Sequence, residues 1–143
     1  MSESRQGLPR VLVILAKRKF NRDLGSGGTP TYWLVHSEVV ELHTCTTCRG
    51  LIRQIRSAQR QSRPFGAVVV EATDNESSIR QEVLEEAMEH IPEGTTLLKI
   101  EKGPVCMQVC SFDAAEGDFA VRGNSTSGDR LAATIMALCS SAQ

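Results

Sequence analysis

The sequence predicts an α/β domain: a sandwich in which helices cover both faces of a mixed sheet. Three observations predict it. Two aliphatic runs, Arg10 to Ala16 (RVLVILA) and Phe65 to Ala72 (FGAVVVEA), are continuous rather than alternating, the pattern of strands buried on both faces. Stretches of helical period alternate with strand-like ones, which implies parallel strands with helices packed on the sheet. Near the end, Val105 to Phe112 and Asp118 to Arg122 flank Asp113-Ala-Ala-Glu-Gly117, a hairpin with a glycine-bearing turn. At 143 residues the chain has the length of one domain and can bury a core without disulfides or metal.

Taken in order, Met1 to Pro9 is polar and reads as a flexible N-terminus ahead of a single domain from Arg10 to Gln143. Lys17 to Gly28 is a basic loop without the Gly-x4-Gly-Lys-Ser/Thr spacing that aims amides and a lysine at a nucleotide. Thr29-Pro30 has the form of a helix start, with a short element to Ser37 anchored by Trp33. Val39 to Thr44 reads as a strand, and Cys45-Thr46-Thr47-Cys48 as the turn into a helix. In that helix Leu51, Ile52 and Ile55 make the apolar stripe, while Arg49, Arg53, Arg56 and Arg60 recur on another face.

Phe65 to Ala72 is expected at the centre of the sheet. Ser78 and Gln81 have capping-box spacing, ahead of a helix with Ile79, Val83, Leu84, Ala87, Met88 and Ile91 on its apolar face; Pro92 and Gly94 end it. Thr95 to Ile100 is a further short strand. After the hairpin, Ser127-Gly-Asp opens a last helix with Leu131, Ile135, Leu138 and Cys139 facing the core.

Charge is balanced overall, at −1, yet segregated. The region up to Arg63 is basic, and Glu71 to Glu93 is acidic. The near-zero sum gives no global pull toward nucleic acid or an acidic membrane. It favours reading the arginine stripe as a solvated face over a docking surface for phosphate or an acidic partner. No window has the apolar length of a membrane span and the first residues lack a secretory apolar core, so a cytoplasmic location is expected. Five cysteines, an odd number, do not space like a secreted disulfide framework, and reduced thiols are expected.

Two thiols at the start of a helix suggest redox chemistry. Unsatisfied amides and the positive end of the helix dipole favour thiolate over thiol, and thiolate is the species that attacks a disulfide. Cys45 would attack, Cys48 would resolve the mixed disulfide, and Arg49 would steady the anion. The same residues admit a metal reading, with His43, Cys45 and Cys48 joined by Cys106 or Cys110 around zinc or an iron–sulfur cluster. They also admit a purely structural one, because buried cysteines are common core residues.

From Val39 to Cys139 the element order resembles the thioredoxin-like superfamily, on Cys45-Thr46-Thr47-Cys48 between strand and helix and on Pro104 before a late strand. The resemblance implies that Pro104, with Gly103 beside it, sits against the two cysteines as a substrate-binding segment. It implies a thiol–disulfide oxidoreductase or redox sensor acting on protein thiols, without a cofactor. The alternative architecture is a receiver- or flavodoxin-like doubly wound parallel sheet. Glu71 at a strand end resembles the receiver pattern, although Lys17-Arg18-Lys19 stand where that family needs acidic metal ligands. The alternative function is a non-catalytic α/β domain that binds a protein partner through its charged faces, with neither membrane nor nucleic acid expected.

Overall fold

Six strands form one mixed sheet among the residues that the computed structural model describes, which are 8–14, 40–72, 85, 86, 88–102, 107–113, 115–125 and 128–141. They are β1 (Arg10–Ile14), β2 (Glu41–Cys45), β3 (Ala67–Ala72), β4 (Thr96–Lys102), β5 (Met107–Asp113) and β6 (Asp118–Ser125). Helix α1 (Cys48–Arg60) follows β2, and helix α2 (Gly128–Ser141) follows β6. The short element expected at 29–37 and the Ser78–Gln81 capping box lie outside the described residues.

The strand order is β2-β1-β3-β4-β5-β6. β2, β1, β3 and β4 run parallel; β5 is antiparallel to β4, and β6 to β5. The parallel quartet thus has the 2-1-3-4 order of doubly wound sheets. β3 is central, between two parallel neighbours, as its unbroken apolar run requires.

Alternation along the strands divides the core in two. Val11, Val13, Ala67, Val69, Leu98, Ile100 and Val109 point to one face, where Leu131, Ala132, Ile135 and Cys139 of α2 cover them. Leu12, Ile14, Val68, Val70 and Leu97 point to the other, under Leu51, Ile55 and Ala58 of α1. All of these side chains are at most 4% exposed, and burying each large aliphatic contributes about 1.5–3 kcal/mol. Ile52 departs from the expected stripe: it is only half-buried, and Ala58 takes the third core position. Met88, expected on an apolar face, is 42% exposed, whereas Ile91 does pack against the α1-side core.

The resemblance to thioredoxin-like proteins needs the segment leading into β5 to sit against the cysteines. The sheet order puts β2 at the edge with β1 beside it and β5 four places away, a separation of about 19 Å at roughly 4.8 Å per strand. Gly103 and Pro104 themselves lie outside the described residues. The physical reason is burial. The apolar run of β1 needs cover on both faces and strand neighbours on both edges, so β1 takes an interior position and displaces β2 to the rim.

Local chemistry ends the elements where the sequence allows it. Thr47 caps α1, its Oγ1 accepting the Gly50 N–H at 3.0 Å. At the other end Ser62 takes the left-handed conformation (φ 56°), and the N–H groups of Ser62 and Arg63 return to the carbonyls of Gln59 and Ala58. In the β5–β6 turn Gly117 has φ 72° and donates to the Asp113 carbonyl at 2.8 Å, while Asp113 Oδ1 accepts from Ala115 and Glu116.

Gly66 permits a close approach of α2 to the sheet. A Cβ built there would lie 2.6 Å from Sγ of Cys139, which is fully buried. Gly66→Ala is expected to destabilise the fold by about 1–3 kcal/mol. Cys139→Ala should absorb most of that cost in a double-mutant cycle by denaturant unfolding.

Candidate functional site

The junction of β2 and α1 builds the cysteine pair. Cys45 is the last residue of β2 rather than part of the turn, and Cys48 is the first residue of α1. Strand alternation turns Cys45 inward, into the cluster with Leu12, Ile14 and Leu51, where it is 9% exposed. Cys48, one residue past the cap, is half-buried. Both are free thiols.

The electrostatics run against an activated nucleophile. Burial pushes the Cys45 thiol up to about 12, and the nearby Cys48 adds to the rise. Cys48 is also raised, by burial and then by the carboxylate of Glu86. The expected thiolate stabilisation at the helix N-terminus fails for a local reason: Cys45 lies two residues ahead of the cap, and the Thr47 hydroxyl takes the Gly50 amide. Arg49 is exposed on α1 and makes no ion pair or hydrogen bond to a described residue.

Nor do the sulfurs gather with the other expected metal ligands. Cys110 is on β5, four strands from β2, buried and donating to Glu101 Oε1 at 3.5 Å; burial lifts its thiol to about 11. Cys106 lies outside the described residues. The ring of His43 is engaged elsewhere, with Glu41. The described group whose donor atoms converge within 4.8 Å is instead Glu86, Glu89 and His90, in the helical residues around 85–90. Glu86 and Glu89 are exposed.

Sequence reasoning missed a polar cluster at the start of β2, against β1. Glu41 Oε2 accepts from Arg10 Nε at 2.7 Å and from His43 Nε2 at 2.8 Å, and its Oε1 accepts from Arg63 at 3.0 Å. A carboxylate only accepts, so His43 Nε2 carries the hydrogen. The 3.3 Å approach of Arg10 to that nitrogen is then a contact between two donors. Arg10 also donates to the Arg63 carbonyl and lies 4.7 Å over the Phe65 ring, against which His43 stands edge-on. The cluster ties the edge strand to β1 and to the exit of α1. Its partners are 22 to 53 residues apart, apart from the His43 contact two residues on, so no spacing in the chain marked it.

The exposed face of α1 lines an open cleft of about 870 Å³. Arg49, Arg53, Arg56 and Arg60 line it, together with Cys48, half-buried Ile52, Gln59 and the carboxylate-bearing Glu86. Residues at 49, 53, 56 and 60 share one side of a helix because steps of four and three close on 3.6 per turn. Arg53, Arg56 and Arg60 also make no ion pair or hydrogen bond to a described residue. Comparison with known proteins adds no identity. No family model, curated protein or solved structure matches the chain. Among the described residues no helix is long and apolar enough to cross a membrane.

Glu41 sets a pH dependence. The hydrogen bond from His43, then those from Arg10 and Arg63, outweigh burial and hold its carboxyl at about 2 against an ordinary 4.5. Its stabilisation is complete above pH 4.5 and is lost as pH falls toward 2. Glu41 is 25% exposed, and Glu41→Gln is expected to cost about 1–3 kcal/mol at neutral pH. Unfolding measured across the acid range should show the variant and the parent converging as pH drops.

Proposed function

We propose that this chain is a non-catalytic α/β binding domain that presents the arginine face of α1 to an acidic protein partner. One observation carries the reading: four guanidinium groups in register on one helix face, lining a cleft and joined to no described carboxylate by an ion pair. Four like charges gathered in one concavity repel one another, and an anion that meets them relieves the repulsion. Arginine suits that task, since its planar fork pairs carboxylates bidentately.

The cleft favours protein over nucleic acid as the partner. Its described lining has no aromatic side chain on which a base would stack. Ile52 offers an apolar foothold of the kind a peptide side chain fills.

The thiol–disulfide reading is the weaker one on this geometry. It needs an accessible thiolate at Cys45, and burial favours the neutral thiol there. The rival readings separate by experiment. The thiolate absorbance lost in Cys45→Ser is expected to titrate far above neutral pH; a Cys45 thiolate at pH 7 would restore the oxidoreductase reading. For binding, a glutamate-rich peptide with one leucine is expected to titrate the protein calorimetrically at low salt. Arg53→Glu with Arg56→Glu, both exposed positions, should abolish the heat while circular dichroism stays unchanged. Peptide binding that ignores this double reversal would sink the proposal.

A further inference from the structure

The acidic partner that the arginine face implies has a candidate within the chain. Glu86 and Glu89 are exposed and project from one side of the helical residues around 85–90, their oxygens and the His90 ring converging within 4.8 Å. Glu86 also lines the arginine cleft. The basic and the acidic stripe therefore open on the same side of the sheet, next to one another. Within one copy, no described ion pair joins Glu86 or Glu89 to Arg49, Arg53, Arg56 or Arg60.

A surface with adjacent stripes of opposite sign is complementary to itself. A two-fold axis passing between the stripes lays the arginines of each copy on the glutamates of the other, and it closes after two copies. We infer that α1 of one copy docks against Glu86 and Glu89 of a second copy of this chain, forming a two-fold dimer through the arginine cleft. The inference rests on the binding role proposed for that face and names its occupant. Half-buried Ile52, between the arginines in the cleft, supplies apolar contact. The interface is mostly charged, so its affinity falls steeply with salt, and an acidic peptide competes with it for the same cleft.

Charge reversal and mixing test the pairing. Sedimentation equilibrium of the full chain at low salt, about 0.01 M, where the Debye length is about 30 Å, is expected to give a dimer that dissociates as salt is raised. Arg53→Glu/Arg56→Glu and Glu86→Arg/Glu89→Arg should each be monomeric, weakened at least about tenfold. An equimolar mixture of the two should recover the dimer, because each reversed stripe then meets its opposite. Recovery on mixing shows more than either loss alone, since a damaged fold would not be repaired by a second damaged chain.

A wild-type chain that stays monomeric at low salt while binding the glutamate-rich peptide overturns the self-docking and leaves the binding role standing. A chain that does neither overturns both. A dimer untouched by the reversals, or a monomer whose arginines take single-stranded RNA instead, also overturns the inference.

Discussion

The seating of α1 on the sheet is the constraint from which the rest follows. Leu51, Ile55 and Ala58 must cover Leu12, Ile14, Val68 and Val70, because strands of that composition cannot face water on either side. One helix face committed to that contact fixes the rotation of the whole helix. Positions 49, 53, 56 and 60 then point outward, and the end of β2 is drawn under the first turn. The same contact that exposes the arginines buries Cys45.

That coupling explains why the cysteine pair reads one way in the sequence and another in three dimensions. A Cys-x-x-Cys beside a helix start is chemically active when the first sulfur reaches the free amides of the first turn. Here the frame is shifted by two residues: Thr47 is the cap and Cys45 is still strand. A strand residue alternates in or out by register, and the register of β2 against β1, with Cys45 opposite Ile14, turns the sulfur inward. Desolvation then favours the neutral thiol.

The edge position of β2 carries its own cost, and the Glu41 cluster meets it. An edge strand bonds on one side, and among the described residues β2 pairs with β1 alone. Glu41 adds side-chain ties to Arg10 on β1 and to Arg63 beyond α1, with His43 and Phe65 packed against them. The ties lock the β2–α1–β3 unit at the end of the sheet opposite Cys45, and so hold the orientation in which α1 presents its arginines.

Much was decided by the sequence alone. The continuous runs at Arg10 to Ala16 and Phe65 to Ala72 dictated two buried strands, and the step-of-four-and-three arginines dictated a charged helix face. Asp113 and Gly117 dictated the hairpin turn, because each signal depends on residues within a few positions of one another. Strand order, the inward turn of Cys45, the half-buried state of Ile52 and the meeting of Arg10, Glu41 and Arg63 were decided only by the tertiary structure. These depend on which distant segments compete for the centre of the sheet. That competition is settled by total apolar burial, a property of the whole fold that no local spacing encodes.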